Sequence, residues 1–224
     1  MVLRFQAIIF DFDYTLADSS RGVVECINYA LDALDLPTVS AEKACETIGL
    51  SLTDTFLQLT GTDARSDTFT RLFIAHADKV MVDSTVLLDS VPQTIRNLRR
   101  RGVDMGIVST KFRRRIQSIL SREQLLDHFD VIIGGEDVSN HKPDPEGVYL
   151  AIKRLGSLPS NTVYVGDSLV DAETAWRAGL PFFAILSGLT LRSAFDGYNV
   201  YQIIDRISDL PRWIHPGYTG RAEP

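Results

Sequence analysis

The sequence predicts an α/β protein built on a doubly wound parallel sheet, with an all-helical insertion after the first strand. Short apolar runs rich in β-branched and aromatic residues recur along the chain, and segments with helical spacing lie between them. One long stretch after the first run has helical spacing alone. Because regular alternation of strands and helices is typical of parallel sheets covered on both faces, this stretch is expected to stand apart from the sheet.

Five apolar runs are the predicted strands. The first four lead into polar residues or glycine, as buried parallel strands do at their ends: residues 7–10, 105–108, 131–133 and 163–165. A fifth, weaker run spans residues 182–186. Between the runs, apolar residues recur every three or four positions, and Gly102 and Gly156 stand where helices commonly end.

Residues 18–83 form the predicted insertion, and its helical pattern is broken at Pro37 and Gly61. No strand-like run occurs within it. We therefore predict two domains, which are a core formed by residues 1–17 and 84–224 and a helical cap formed by the insertion.

Composition and charge exclude several classes of function. Hydrophobic residues make up 45% and charged residues 23% of the chain, and the formal net charge is -6. This acidic balance argues against binding to nucleic acid or to an anionic membrane surface, and no apolar run reaches the ~18 residues of a membrane span. The two cysteines, Cys26 and Cys45, lack the number and spacing of a disulfide framework or a zinc site. We expect a cytoplasmic protein that is a monomer or a homodimer.

Polar residues follow the ends of the predicted strands, and these are the candidates for chemistry: Asp11, Asp13, Ser109, Thr110, Lys142, Asp167 and Asp171. In open parallel sheets, ligands bind beyond the carboxyl ends of the strands, so these residues are expected to meet at one edge. Two carboxylates separated by one residue suit a hard cation, and they can divide the roles of nucleophile and proton donor. A lysine held beside them suits a phosphate.

Each segment also has a purely structural interpretation. Asp11 and Asp13 can form an Asx-type turn, and Ser109 can be an ordinary helix N-cap. Lys142 can be a surface lysine. Asp167 or Ser168 can cap the following helix, with Asp171 favourable in its first turn. Taken singly, these interpretations stay open. The occurrence of four such segments at predicted strand ends of one chain favours a functional site.

In order and spacing, the four segments resemble the four motifs of the haloacid dehalogenase superfamily, over nearly the whole chain. They read DFDYTL at 11–16, STK at 109–111, HKPDP at 141–145 and GDS at 166–168, and Asp171 follows the last. The likeness is to the phosphoglycolate phosphatase-like branch, which has a Rossmann-like core and a helical cap. It implies a Mg²⁺-dependent phosphatase that hydrolyses a small phosphorylated metabolite through an aspartyl-phosphate intermediate.

The resemblance also implies roles for the matching residues. Asp11 is expected to be the nucleophile and Asp13 the general acid and base, while Lys142 neutralises the charges of nucleophile and phosphate. Mg²⁺ is expected to bind Asp11, the backbone carbonyl of Asp13 and Asp167, with Asp171 supporting the metal site.

Substrate contacts are implied in the same way. Ser109 is expected to bind the transferring phosphoryl group, together with the backbone amide of Thr110. Thr15, within the first motif, is expected among the substrate-binding residues. Gly49 is expected there too, because residues 48–52 resemble the segment that the caps of such enzymes present to the substrate.

Two positions depart from the family pattern, since Tyr14 stands where glycine is usual and Thr110 stands where asparagine is usual. Both leave the identity of the substrate open. Inorganic pyrophosphate and sugar phosphates are alternative substrates. A mutase and a non-catalytic binding protein on the same scaffold are alternative functions.

Two further features receive structural interpretations. Trp176 lies beside two alanines at helical spacing and is predicted to be a core residue. The arginines at 99–101 are predicted to lie on a solvated helix face, where they favour the helix dipole. Those at 113–115 begin a helix after Ser109, so one of them could reach the substrate.

Overall fold

The computed structural model describes residues 5–214, so residues 1–4 and 215–224 of the predicted core lie outside the described residues. Its strands are β1 (Ala7–Phe10), β2 (Ala17–Asp18), β3 (Val86–Leu87), β4 (Asp104–Val108), β5 (Val131–Ile133), β6 (Thr162–Gly166), β7 (Phe182–Ile185) and β8 (Gln202–Ile204). Its helices are α1 (Ser20–Asp32), α2 (Ala41–Cys45), α3 (Leu52–Thr60), α4 (Ser66–Ser84), α5 (Val91–Arg100), α6 (Arg113–Arg122), α7 (Glu146–Leu155), α8 (Leu169–Ala178) and α9 (Leu210–Ile214).

One sheet has the strand order β5-β4-β1-β6-β7-β8, and every neighbouring pair in it is parallel. The predicted doubly wound parallel sheet is confirmed, and all five predicted strands belong to it. β8 has no counterpart in the sequence prediction. It lies at the edge of the sheet, and Gln202 and Ile203 are only partly buried, so it lacks the apolar run typical of a central strand.

β1 lies in the middle of the sheet and is buried on both faces. All four of its residues have no exposed surface. Because successive strand residues point to opposite faces, Ile8 and Phe10 join one apolar cluster and Ile9 joins the other. The residue that follows Phe10 therefore stands at the centre of the sheet's carboxyl edge.

The stretch between β2 and β3 consists of α1–α4, which have an apolar core of their own that includes Ile27, Phe56, Phe69 and Met81. β2 and β3 pair antiparallel, with Ala17 opposite Leu87 and Asp18 opposite Val86. We call residues 18–83 the cap segment. The division into this cap and a core of residues 1–17 and 84–224 stays a proposal.

The prediction that Trp176 lies in the core is wrong, because 64% of its surface is exposed. The α8 residues that join the core under the sheet are small, namely Ala172, Ala175 and Ala178, and Trp176 lies outside their face. Within residues 5–214, no helix combines the length and the apolar character that crossing a membrane requires.

Candidate active site

Asp11, Ser109 and Asp167 each stand at the carboxyl end of a central strand. The backbone N–H of Asp11 donates to the carbonyl of Val165 at 2.9 Å, and the N–H of Ser109 donates to that of Ile133 at 3.1 Å. Asp167 directly follows β6, the neighbour of β1. Parallel pairing thus fixes three of the candidate residues along one edge of the sheet.

Lys142 reaches this edge from the loop before α7 and makes two short ionic contacts. Its Nζ lies 2.8 Å from Asp11 Oδ1 and 2.7 Å from Asp171 Oδ1, and all three side chains are buried. Burial alone would lower the pKa of Lys142, but the charges of Asp11 and Asp171 raise it well above its usual value. The lysine therefore stays positively charged.

Asp11, Asp167 and Asp171 form a buried carboxylate cluster, in which one oxygen of each lies within 4.8 Å of the others. Burial raises the pKa of Asp11 to about 7, although Lys142 opposes the shift. Burial, followed by the charges of Asp171 and Asp11, raises the pKa of Asp167 to about 9. Because one lysine does not balance three carboxylates, the cluster has the excess negative charge and the oxygen donors that suit Mg²⁺.

Both oxygens of Asp171 are engaged by donors. Oδ1 accepts from Lys142 and from the Tyr164 hydroxyl at 3.2 Å, and Oδ2 accepts from the amide of Ser168 at 3.2 Å and from its hydroxyl at 2.6 Å. Gly166 leaves the space for this carboxylate, since an added Cβ would lie 2.5 Å from the Asp171 side chain. Asp171 is therefore better placed to orient Lys142 than to bind a cation through a free oxygen.

The Asp167 carboxylate has fewer hydrogen-bond donors around it than the Asp171 carboxylate. The Thr15 hydroxyl donates to Asp167 Oδ1 at 3.2 Å, which puts this predicted substrate-binding residue beside the carboxylate cluster. Gly188, in the loop after β7, faces the other oxygen, and an added Cβ there would lie 1.9 Å from Asp167 Oδ2. Gly188 belongs to none of the four motifs, so pattern analysis of the sequence missed it.

The Asp13 side chain has partners of its own. Its Oδ1 accepts from the Ser19 hydroxyl at 2.5 Å, and its Oδ2 lies 3.1 Å from Lys111 Nζ. Lys111 Nζ also lies 3.3 Å from Ser19 Oγ, and its side chain is buried. Lys111 is not among the predicted site residues, although its place directly after Thr110 is a signal that could have identified it.

A cavity of about 280 Å³ lies between this sheet edge and the cap segment. Asp13, Thr110 and Lys111 line it from the core, and residues 48–52 line it from the cap segment. Within this lining, Gly49 has a φ of +96°, which lies in the left-handed region that glycine adopts without strain. The structure therefore brings Gly49 and Thr110 to opposite walls of one space.

Tyr14 connects the loop after β1 to the cap segment. Its φ of +58° lies in the left-handed region, which accounts for the glycine that the family usually has at this position. Its carbonyl accepts a hydrogen bond from the Ser187 hydroxyl. Burial, together with a hydrogen bond to Cys45 of the cap segment, raises the pKa of Tyr14. The phenol thus packs against the cap segment.

Comparisons with known proteins agree with this geometry. The family model for haloacid dehalogenase-like hydrolases matches residues 8–185. The phosphoglycolate phosphatases of Salmonella typhimurium (strain LT2) and Escherichia coli (strain K12) are 30% and 29% identical to this chain. Each match covers 92% of this chain, and they cover 91% and 90% of the two relatives.

Two solved structures are similar to this chain over most of its length. A haloacid dehalogenase-like hydrolase structure from Bacteroides fragilis is similar with a TM-score of 0.89 and 43% identity, over 92% of this chain and 99% of the other. A hydrolase from Pseudomonas syringae, with a TM-score of 0.79 and 21% identity over 92% and 96% of the two chains, shows the shared fold alone. The chain belongs to the haloacid dehalogenase-like hydrolases and is a phosphatase-type hydrolase related to phosphoglycolate phosphatase.

Proposed function

We propose that this protein is a Mg²⁺-dependent phosphatase that hydrolyses a small phosphorylated metabolite through an aspartyl phosphate on Asp11. One observation carries the proposal: the buried Asp11 carboxylate stands at the centre of the sheet edge, 2.8 Å from the Lys142 ammonium and beside two further carboxylates. The names of the relatives make phosphoglycolate the reference substrate. We place the reaction in the cytoplasm, in a monomer or homodimer.

The first step is attack by Asp11 on phosphorus. A phosphate monoester dianion repels a carboxylate, and the Lys142 charge offsets that repulsion for both partners. Lys142 also favours the ionised form of Asp11, which is the form that attacks. Asp171 holds Lys142 in position through its 2.7 Å contact.

The residues of the cluster fit a Mg²⁺ site. Asp11, Asp167 and the backbone carbonyl of Asp13 would hold the ion, with Asp171 supporting the site through Lys142. When bound, Mg²⁺ supplies positive charge that offsets the charge of the phosphoryl group and of the nucleophile. Thr15 orients Asp167 through its hydrogen bond.

Asp13 handles the protons of both steps. Asp13 has to carry a proton when the substrate is bound, and it donates that proton to the alkoxide that leaves when the phosphorus–oxygen bond of the ester breaks. It then accepts a proton from the water that attacks the aspartyl phosphate, and Asp11 departs as a carboxylate. Ser19 and Lys111 hold the Asp13 carboxylate in place between these events.

The phosphoryl group binds beside Asp11 in this proposal. The Ser109 hydroxyl and the Thr110 amide, at the end of β4, are the donors for its oxygens. Gly49, across the cavity, lets the cap segment approach the rest of the substrate. Burial of Ser109 and Lys142 keeps bulk water from these contacts.

The test is replacement of Asp11 by asparagine, measured as hydrolysis of a chromogenic phosphate ester with Mg²⁺. Because the amide is not a nucleophile, we expect Asp11→Asn to lower kcat by about a thousandfold or more, with an unchanged circular dichroism spectrum. Asp89→Asn, at an exposed carboxylate, is the matched control and is expected to keep full activity. Chelation with EDTA is expected to stop the native enzyme. Turnover by Asp11→Asn near the native rate would refute the role of Asp11.

A further inference from the structure

The cavity beside Asp13 is where a leaving group would lie. Asp13 and Lys111 line it, whereas Asp11 and Lys142 do not. In the proposed function, Asp13 gives its proton to the departing alcohol, so that alcohol has to lie on the side of Asp13 that faces the cavity. The chemistry of the cavity walls therefore indicates which alcohols the enzyme accepts. The position of the leaving group beside Asp13 rests on the proposed function.

The walls of the cavity are mainly apolar. Four apolar side chains of the lining are buried, namely Val23, Ile27, Phe73 and Met81. Partly buried side chains of the cap segment add to them, namely Ile48, Leu50, Leu52 and Ile74. Among the hydroxyls in the lining, those of Thr47 and Ser51 already donate, to the Ala44 carbonyl at 2.7 Å and to Asp54 at 2.6 Å. The buried Thr70 hydroxyl has no partner and can offer one hydrogen bond.

The cations in the lining are already paired. Lys111 contacts Asp13 and Ser19. Arg115 donates from Nε and Nη2 to Asp78 at 2.9 and 2.7 Å, and Nη2 also donates to the Ile74 carbonyl at 3.0 Å. A substrate with a second anionic group, such as the carboxylate of phosphoglycolate, would have to share one of these cations with the groups that it already contacts.

The remaining charged groups of the lining do not supply a better site for a second anion. His141 and Glu136 both line the cavity, and both are exposed. The Glu136 carboxylate accepts a hydrogen bond from the Arg113 amide at 2.9 Å, which fixes a negative charge on this wall. The negative charge of Glu136 in the lining disfavours a second anion.

The volume of the cavity gives a scale for the leaving group. At ~30 Å³ per water molecule, 280 Å³ corresponds to roughly nine waters. The two-carbon glycolate group would leave much of that water against apolar walls. An alcohol of about five to seven carbons would displace this water, and its apolar surface and that of the cavity walls would both be buried.

We propose that the enzyme prefers phosphate monoesters of compact apolar alcohols of about five to seven carbons over phosphoglycolate and sugar phosphates. The phosphate binds at the sheet edge in the same way for each of these substrates. The preference arises where the apolar part of the alcohol contacts the cap segment.

The test compares ethyl phosphate, isopentyl phosphate, phosphoglycolate and a hexose phosphate with the native enzyme and Mg²⁺. Ethyl and isopentyl alcohols are similar leaving groups, so their difference reports contacts with the cavity. We expect kcat/KM for isopentyl phosphate to exceed that for ethyl phosphate and for phosphoglycolate by at least about tenfold, mostly through KM.

Two variants test whether the preference for isopentyl phosphate arises at the cavity wall. Ile48→Asn puts an amide on the cavity wall and is expected to reduce the preference for isopentyl over ethyl phosphate by about tenfold. Leu57→Asn, at an exposed leucine of α3 that does not line the cavity, is the matched control and is expected to keep the preference. If Ile48→Asn kept the preference as well, the cavity would not be its source and the proposal would fail.

The panel also separates this proposal from the proposed function. If phosphoglycolate or the hexose phosphate were hydrolysed as efficiently as isopentyl phosphate, the apolar preference would be overturned while the phosphatase would stand. If no ester were hydrolysed, both would fall. The native enzyme decides between these outcomes even if Ile48→Asn does not fold.

Discussion

Gly188 shows how a residue without a side chain supports a charged one. It faces Asp167 Oδ2 so closely that an added Cβ would lie 1.9 Å from that oxygen. Asp167 also has fewer donors than Asp171, since it accepts from the Thr15 hydroxyl. The position of Asp167 therefore depends on the space that Gly188 leaves.

We expect Gly188→Ala to push Asp167 out of the cluster and to weaken activation by Mg²⁺ by about 10–100-fold. The measurement is the Mg²⁺ concentration that gives half-maximal hydrolysis of a phosphate ester. Gly197→Ala is the control, because an added Cβ at Gly197 meets no atom within 4 Å. Equal Mg²⁺ requirements in the two variants would show that Asp167 does not need this space.

At the residue scale, the sequence predicted those groups that directly follow strands, such as Asp11, Ser109 and Asp167. Their positions follow from parallel pairing, which needs only the strand ends. Tyr164, which donates to Asp171, lies inside β6, where the pattern indicates only a buried apolar residue. Lys111 follows a strand end too, but the direction of a side chain in a loop has no periodicity that a sequence reveals.

At the scale of elements, α6 joins the core to the cap segment through arginines. Arg114 and Arg115 both contact Asp78 of α4 at 2.7 Å. About two helical turns further along α6, Arg122 donates to the carbonyls of Val82 and Thr85 at 2.5 and 2.6 Å, at the end of α4. These bonds fix the last turns of α4 and satisfy carbonyls that a helix end leaves unpaired.

Asp78→Asn is expected to lower the free energy of unfolding by about 1–3 kcal/mol, because it leaves the buried Arg115 guanidinium without its carboxylate. For a chain of this size, ~1 kcal/mol shifts Tm by about 2–4 °C. Thermal unfolding measures the change. Asp83→Asn, at an exposed carboxylate of the same helix, is expected to leave Tm unchanged. An identical Tm for both variants would refute a structural role for the Asp78 contacts.

Elements with a clear apolar pattern in the sequence were predictable, and very short elements were not. The central strands are buried on both faces, so their apolar runs stand out in the sequence. β2 and β3 have two residues each, which is too short for any pattern. In α8, Trp176 lies next to alanines that do face the core, and spacing alone did not tell which side of the helix the sheet covers.

At the scale of the whole molecule, we expect the carboxylate cluster to link stability to pH and, under the proposed function, to Mg²⁺. The folded protein raises the pKa of Asp11 to about 7 and that of Asp167 to about 9, from 3.8 in both cases. At pH values between 3.8 and these raised pKa values, the unfolded chain has released protons that the folded chain still binds. Without metal, this contribution to stability is therefore present at low pH and is lost as the pH rises toward about 9.

We expect the Tm of the metal-free protein to fall between about pH 5 and about pH 9, and Mg²⁺ to raise Tm more at the higher pH, where the carboxylates have lost their protons. Asp167→Asn is expected to reduce this pH dependence and to abolish the stabilisation by Mg²⁺, whereas Asp89→Asn should preserve both. A metal-free Tm that rises steadily over this range in the native protein would show that the cluster does not dominate.

The antiparallel pairing of β2 with β3 has a consequence for how the molecule can change. It brings the two ends of the cap segment side by side, at the spacing of neighbouring strands, about 4.8 Å. To the rest of the chain, the insertion is equivalent to a long hairpin loop, and doubling the length of a loop costs only about 0.6 kcal/mol in closure entropy. Insertions of different size or sequence can therefore be accommodated at this junction, provided that the Ser19 hydroxyl, which donates to Asp13, is kept.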